Sequence, residues 1–362
     1  MITIVCKLME RKIGDSATSP GLEYDAKVYF DVLSKKGFKI QICNSWYKTE
    51  KERTENIKKI VESQIIIGIE ELGSSDYHHY YKSKYIILIP NLEIDTPYIK
   101  NMYANLPKLD LIVGKFKDND KFIDLLKNNL VKYKKLCNTP SLIYIPHITP
   151  VEICKNDKNI RKNIIHFVGS SPYKNTLEQT IAGIKLVKKY PEMFDKLIVK
   201  ITFWKNDKFH PDFPYYTDSE LDKLALEHPN EFLYMKNGFI SDEEKYKLFD
   251  SSCLSLCCSN TEGFGHYIME SLARGCVTIT TDGFPMNLID GLLLVKPTRE
   301  IIKGCGIYYS VDENDIYEKI VENIDLIKNY SPKKYIDLFK HQTDNFNIGI
   351  DNLTEILEGK MK

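Results

Sequence analysis

Residues 253–275 read CLSLCCSNTEGFGHYIMESLARG, and this stretch indicates the fold of the second half of the chain. The apolar run 253–257 is typical of a buried strand, and residues 266–274 have the apolar spacing of a helix. Gly263 and Gly265 lie in the loop between them, where glycine permits close backbone approach and unusual φ values. The stretch therefore predicts a strand, a loop and a helix, the repeating unit of parallel α/β sheets.

The same alternation extends along the rest of the chain. Predicted strands lie at 2–6, 38–43, 64–69, 85–89, 109–113, 142–145, 164–168, 197–203, 232–235 and 277–280. Predicted helices lie at 24–36, 50–62, 119–135, 176–190, 218–228, 242–250, 313–330 and 335–357. Short β-branched runs that alternate with amphipathic stretches favour parallel sheets covered by helices on both faces. Two doubly wound, Rossmann-like α/β domains facing a cleft are expected.

The domain boundaries follow from a composition change in the middle of the chain. Residues 152–163 are polar and are interpreted as a linker, because few large apolar side chains occur there. This places one domain at 1–150 and a second at 164–334. A C-terminal helix, about 335–362, is expected to pack back on the first domain.

Composition excludes several classes of protein. The 362 residues contain 50 Lys+Arg and 50 Asp+Glu, so the net charge of zero argues against a globally basic nucleic-acid binder. The first 13 residues carry four charges and no apolar core of a signal peptide. The longest apolar runs, 65–69 and 85–90, are far too short to span a bilayer. A cytoplasmic protein is expected, and peripheral membrane contact is left open.

Neither cysteine nor histidine indicates a metal site. The nine cysteines are scattered, form no C-x-x-C pair and are interpreted as buried thiols of a reduced compartment. The pair His78-His79 lies among tyrosines and is interpreted as an exposed aromatic loop. No metal ligand is therefore assigned.

The loop and helix after 253–257 carry the chemistry. Free amides and the dipole at a helix start form an anion site suited to phosphate. Glu262 precedes this site and Glu270 lies about one turn inside the helix. Carboxylates repel phosphate but accept hydrogen bonds from hydroxyls, so the pair suggests a sugar on one side and a ribose on the other. A Gly-x-Gly turn alone is more often plain packing, so a ligand-binding role requires support from neighbouring segments.

Three segments in order resemble a known family. The run from Glu262 to 279, with the pattern EGFGxxxxESLAxGxVxI, resembles the E-x7-E signature of retaining glycosyltransferases of family 4, which have the GT-B fold. Residues 237–249 (NGFISDEEKYKLF) and 167–177 (FVGSSPYKNTL) are similar to that family's stretches upstream. The resemblance covers about 164–310 and is weaker in the first 150 residues.

The resemblance implies roles for individual residues. Glu262 matches the glutamate beside the transferred sugar, and Glu270 matches the one that binds the nucleotide ribose. Lys174 falls at the basic residue that neutralises the diphosphate. Backbone amides that approach the donor belong to Gly263, Phe264 and Gly265.

Four positions are weaker matches or departures. Many relatives carry arginine where this chain has Ser170, and an acidic residue where it has Asn287. The candidate for the first domain's phosphate loop is Ser19-Pro20-Gly21, which reads equally well as an ordinary turn. No histidine follows the strand at 85–89. His147, after the strand at 142–145, is the candidate catalytic histidine near the acceptor, and Asn91 or Glu93, after the strand at 85–89, are equal alternatives.

The expected activity is transfer of a sugar from a nucleoside diphosphate sugar to an acceptor hydroxyl, with retention and without metal or other cofactor. The acceptor, whether glycan, lipid, protein or small molecule, is not specified by these residues. Two alternatives stay open: a GT-B-fold epimerase or phosphorylase, and a catalytically silent binding subunit.

Overall fold

The structure is a computed structural model that describes residues 1–6, 20–70, 72–90, 108–115, 140–155, 161–168, 173–201, 218–236, 238, 240–303 and 306–362. The chain divides into two compact units. The first unit comprises Met1–Pro150, Ile302–Gly306 and Gln342–Lys362, and the second comprises Val151–Ile301 and Ile307–His341. The unit boundary at Pro150 lies at the start of the polar stretch.

The first unit contains a six-stranded sheet with the order β2-β1-β3-β4-β5-β6, in which every pairing is parallel. Its strands are β1 (Ile2–Cys6), β2 (Ile40–Asn44), β3 (Ile65–Ile69), β4 (Tyr85–Ile89), β5 (Leu111–Gly114) and β6 (Ser141–Tyr144). Helices α1 (Pro20–Lys35) and α2 (Glu50–Glu62) follow β1 and β2. All five residues of β3, IIIGI, are buried, as expected for a parallel strand covered on both faces.

The second unit repeats this architecture with the order β12-β11-β10-β7-β8-β9, again all parallel. Its strands are β7 (Asn163–Val168), β8 (Lys196–Ile201), β9 (Phe232–Met235), β10 (Ser252–Cys257), β11 (Val277–Thr281) and β12 (Leu293–Val295). Helices α3 (Thr176–Lys189), α4 (Asp218–Glu227), α5 (Asp242–Asp250) and α6 (His266–Ala273) connect them. The expectation of two doubly wound α/β domains is confirmed.

The remaining elements complete the chain. A separate two-stranded sheet consists of β13 (Arg299–Lys303) and β14 (Gly306–Ser310). Three helices follow: α7 (Glu313–Glu322), α8 (Ile324–Lys328) and α9 (Pro332–Met361). No helix in the described ranges is long and apolar enough to cross a membrane.

Some predicted elements differ from the structure. The single helix expected at 313–330 is two helices, because Asn323 leaves helical geometry (φ −109°, ψ 18°) and its side chain donates to the Lys319 carbonyl. Strands β12, β13 and β14 were not predicted, since none has a long apolar run. The predicted helix at 119–135 lies outside the described residues, as do 202–203 of the predicted strand 197–203 and 156–160 of the predicted linker.

Helix α9 belongs to both units along its length. Its residues from Gln342 onward are part of the first unit, where four buried side chains at spacings of 4, 3 and 4 join the core formed by α1 and the sheet. These are Phe346, Ile350, Leu353 and Leu357. The spacing places them on one helix face, so this amphipathic face closes the first unit's core.

Truncation of that face is expected to destabilise the first unit. Leu353→Ala removes a fully buried side chain and should lower the free energy of unfolding by about 2–5 kcal/mol. Ile348→Ala, on the same helix at a side chain that is 61% exposed, is the matched control and should change it by less than about 0.5 kcal/mol. Urea unfolding followed by circular dichroism measures both. Equal effects would contradict the assignment of the buried face.

Candidate active site

The strand order of the second sheet reverses between β7 and β10. Chain connections leave in opposite directions from these two neighbouring strands, so the loops after their carboxyl ends border a crevice, the usual ligand site in open α/β sheets. Lys174 lies in the segment between β7 and α3, and Glu262 lies between β10 and α6. The fold therefore brings together two residues that are 88 positions apart in the sequence.

Lys174 and Glu262 form a nearly buried ion pair. The Lys174 ammonium contacts Oε1 of Glu262, and their side chains are 12% and 5% exposed. The same ammonium lies 4.9 Å from the centre of the Tyr267 ring, a cation–π contact. Removal from water strengthens both interactions, so the ammonium and the carboxylate hold each other in place.

Helix α6 begins beside this pair. Gly265 precedes it with φ +89°, a left-handed conformation, and a Cβ there would lie 2.9 Å from Cδ1 of Ile268. The positive φ strongly favours glycine at this position, whereas the Ile268 side chain could shift to admit a Cβ. The first amides of a helix have no carbonyl partner within it and carry the positive end of its dipole, so this end suits an anion. Gly263 and the buried Phe264 complete the loop, with the Phe264 ring in edge contact with His266.

Glu270 has a cationic partner of its own. Nζ of Lys245, on α5, lies 2.9 Å from Oε1 of Glu270 and 3.0 Å from Oδ1 of Asp242. Burial lowers the pKa of Lys245, but the charge and hydrogen bond of Glu270 outweigh it and leave that pKa raised. Lys245 was missed by the sequence reasoning, because a lysine in a chain with 50 basic residues carries no signal by itself.

Buried hydrogen bonds hold β7, β10 and α3 together beneath the two loops. Nδ1 of His166 lies 2.8 Å from the Leu256 carbonyl oxygen, and Nε2 lies 3.0 Å from Oγ1 of Thr176. A carbonyl oxygen can only accept, so Nδ1 carries the proton and Nε2 accepts from the threonine hydroxyl. Burial lowers the pKa of His166 to about 4, against the opposing effect of the Leu256 carbonyl, and the nearby Lys174 charge lowers it further.

The loop to Glu262 is also held from the side of β14. The Asn260 amide nitrogen donates to the Tyr173 carbonyl at 2.9 Å, and its side-chain Nδ2 donates to the Tyr309 carbonyl at 2.7 Å. The Tyr309 amide donates in return to the Asn260 carbonyl at 2.7 Å. Backbone groups on both sides thus fix the approach to Glu262.

The other predicted site residues lie elsewhere. Ser170 is outside the described residues. Gly21 is not in a loop: α1 begins at Pro20, since proline suits the first helical position, so Gly21 is helical. Nδ2 of Asn287, in a short 3₁₀ helix (Met286–Leu288), donates to Oδ1 of Asp282 at 3.0 Å. The roles assigned to Ser170 and Gly21 stay predictions.

His147 belongs to the first unit and is fully buried. Its Nε2 contacts Oδ1 of Asp25, whose other oxygen contacts the Lys115 ammonium, and its ring stacks on Tyr29 at 5.9 Å. All three charged or titratable side chains are at most 3% exposed. The sequence pattern did not indicate Asp25 or Lys115 as partners.

His78 is also buried, which corrects its interpretation as part of an exposed loop.

The His166 contacts predict a pH-dependent stability. The unfolded chain binds a proton near pH 6.5, whereas the buried neutral ring resists it down to about 4, so stability falls as pH drops through this window. The loss between pH 7 and pH 5 should be about 2 kcal/mol from this residue. In His166→Gln, the difference in the free energy of unfolding between the two pH values, measured with urea, should be smaller than in the wild type by this amount. Parallel curves for the variant and the wild type would contradict the neutral buried histidine. His78, whose pKa burial also lowers to about 4, contributes equally to both proteins.

Part of the second unit matches a known protein family. Residues 151–289 match the family model described as "Glycosyl transferases group 1", which supports placing this segment with the group 1 glycosyl transferases. The matched segment holds Lys174, Glu262, Glu270 and Lys245. No curated protein matches the chain by sequence.

Solved structures resemble the fold over nearly the whole chain. A glycosyltransferase from Rickettsia africae ESF-5 matches with a TM-score of 0.63 at 15% identity, covering 100% of this chain and 98% of that one. Anabaena Alr3699/HepE in complex with UDP matches with a TM-score of 0.62 at 13% identity, covering 99% of each chain. The pneumococcal O-GlcNAc transferase GtfA, in complex with UDP and GlcNAc, gives 0.59 at 14% identity, covering 86% of this chain and 61% of that one. This chain therefore spans about three fifths of the length of GtfA, and its fold is the two-domain GT-B fold of glycosyltransferases.

Proposed function

We propose that this protein is a retaining glycosyltransferase that moves a hexose-type sugar from a nucleoside diphosphate sugar, with UDP as the nucleotide, to an acceptor hydroxyl. The observation that carries the proposal is the Lys174–Glu262 ion pair beside the start of α6, with Glu270 one turn further along. UDP is chosen because Alr3699/HepE and GtfA were solved with it. The acceptor is left unassigned.

In the proposed donor complex, the diphosphate lies against the first amides of α6 and the Lys174 ammonium. Hydroxyls of the sugar donate to Glu262, and hydroxyls of the ribose donate to Glu270. Lys245 orients the Glu270 carboxylate, because it holds one of its oxygens at 2.9 Å. Each contact pairs a group of the donor with a side chain or amide of matching chemistry.

The reaction breaks the bond between the anomeric carbon and the diphosphate oxygen and forms a bond from that carbon to the acceptor oxygen. The sugar passes through an oxocarbenium-like state while negative charge builds on the leaving diphosphate. Lys174 and the helix start stabilise this charge. In the retaining course that we propose, the departing phosphate oxygen takes the proton of the acceptor hydroxyl, on the same face of the sugar.

Metal independence is part of the proposal, because Lys174 and the helix dipole supply the positive charge that a cation would otherwise supply. The sequence contains one D-x-D triplet of the kind that can hold a metal, Asp118-Asn119-Asp120, and it lies outside the described residues. Turnover should therefore be unchanged by EDTA and by added Mn²⁺. Loss of turnover in EDTA that Mn²⁺ restores would contradict this part of the proposal.

His147 is proposed as the first unit's contribution to catalysis. Its contact with Asp25 fixes the ring and one nitrogen, the arrangement that orients a catalytic histidine. The same contacts would also suit a purely structural residue. A catalytic role predicts that His147→Asn loses turnover at unchanged thermal stability. A purely structural role predicts that any loss of turnover comes with a loss of thermal stability.

The ion pair gives the sharpest test of the donor site. Lys174 can bind a diphosphate only by weakening its contact with Glu262, so the two anions compete for one ammonium. Glu262→Gln should therefore raise the affinity for UDP about threefold to tenfold, while turnover of UDP-sugar is lost. Lys174→Ala should lower UDP affinity about tenfold to a hundredfold, the range for a charged hydrogen bond. Isothermal titration and release of UDP from UDP-sugar measure the two quantities.

Lys188→Ala is the matched control for the lysine variant, since Lys188 is an exposed lysine on α3 and should leave both quantities unchanged. Binding of UDP without any turnover in the wild type would instead favour the silent binding subunit. Failure of wild type to bind UDP or any other nucleoside diphosphate would overturn the proposed function.

A further inference from the structure

Gln179, on α3, is a fully buried polar side chain whose contacts all lead to the two loops of the candidate site. Its Nε2 donates to the Lys174 carbonyl at 2.5 Å and lies 3.2 Å from the Cys258 carbonyl oxygen. Its Oε1 accepts from the Cys258 amide at 2.8 Å. One amide group therefore joins the backbone just before α3 to the backbone just after β10.

The two residues that Gln179 joins lead directly to the proposed catalytic pair. Lys174 carries the ammonium, and its own carbonyl is the group that Gln179 holds. Cys258 lies four positions before Glu262 in the same loop. Asn175 adds a second donor to the Cys258 carbonyl at 3.0 Å, but the described part of the structure gives the Cys258 amide no other acceptor than Gln179.

We propose that Gln179 is a positioning residue for the transfer reaction: it sets the placement of the Lys174 ammonium relative to Glu262 by fixing the backbone of both loops. The inference rests on the proposed function. A small displacement of a group that stabilises developing charge costs much of its effect, up to about a hundredfold for 1 Å. A substitution at position 179 whose side chain cannot bridge both loops should therefore reduce turnover, although the proposed role of Gln179 involves no contact with substrate.

The substitution Gln179→Met tests this, because methionine has a similar length and shape but neither donates to Lys174 nor accepts from Cys258. Thr180→Val is the matched control. Thr180 is the next residue of α3 and is equally buried, but among the described residues its hydroxyl donates only to the Thr176 carbonyl at 2.7 Å, within the helix. The Thr180→Val variant therefore loses a buried hydrogen bond but keeps every bond of Gln179 to the two loops.

The experiment measures release of UDP from UDP-sugar, UDP affinity and thermal unfolding for the wild type, Gln179→Met, Thr180→Val, Lys174→Ala and the double variant of Gln179 and Lys174. Gln179→Met should lower turnover about tenfold to a hundredfold, and Thr180→Val should stay within about twofold at a similar loss of thermal stability. In the Lys174→Ala background, Gln179→Met should add less than about twofold, because the ammonium that it positions is gone.

A second measurement does not depend on activity. Hydrogen exchange of the peptides that cover 173–176 and 258–262 should be faster in Gln179→Met and unchanged in Thr180→Val. If Gln179→Met does not fold, Gln179→Glu replaces it, since its carboxylate keeps the Cys258 amide bond but cannot donate to Lys174.

Each outcome is decisive for one of the two claims. Turnover in Gln179→Met equal to that in Thr180→Val, or a full multiplicative loss in the Lys174→Ala background, overturns the positioning role. UDP binding together with turnover in the wild type upholds the proposed function in that case. Unchanged exchange in both loops also overturns the positioning role. A wild type that binds no nucleotide overturns the proposed function itself.

Discussion

The candidate site depends on hydrogen bonds that tie the loop after β7 to the loop after β10. Parallel strands bring these loops to one edge of the sheet, but strand pairing alone does not fix the residues beyond the strand ends. Gln179 does so by bonding the backbone of both Lys174 and Cys258, and the backbone amide of Asn260 does so by donating to the Tyr173 carbonyl. His166 supports both loops from β7 through its contacts with Leu256 and Thr176. A buried polar group without a partner is costly, so these loops have few alternative conformations of similar energy.

Charge in the site follows from the same arrangement. Each carboxylate of the sequence motif has its own lysine: Lys174 for Glu262 and Lys245 for Glu270. Two largely buried carboxylates near an anion site would otherwise repel a phosphate. Before any ligand binds, the two lysines neutralise the two carboxylates. The start of α6 then remains attractive to negative charge.

Local patterns predicted the elements well, and the distant contacts poorly. The runs that became β3, β10, α2 and α5 have apolar spacing and, for α2 and α5, capping boxes at Thr49 and Ser241. Glu262, Glu270 and Lys174 could be named as candidates from the sequence because motif spacing is local, and their roles stay predictions. Lys245, Gln179 and Asp25 act on residues 25 to 122 positions away, and nothing in their immediate sequence distinguishes them from solvated or core residues.

Helix α9 has a consequence for biosynthesis. The side chains that complete the first unit's core lie at 346–357, yet β1 to β6 of that core lie within the first 150 residues. A ribosome makes the entire second unit between these two parts. The second unit can therefore finish folding first. Until α9 is synthesised, the part of the first unit's core that α9 covers stays exposed beside α1 and is available to chaperones.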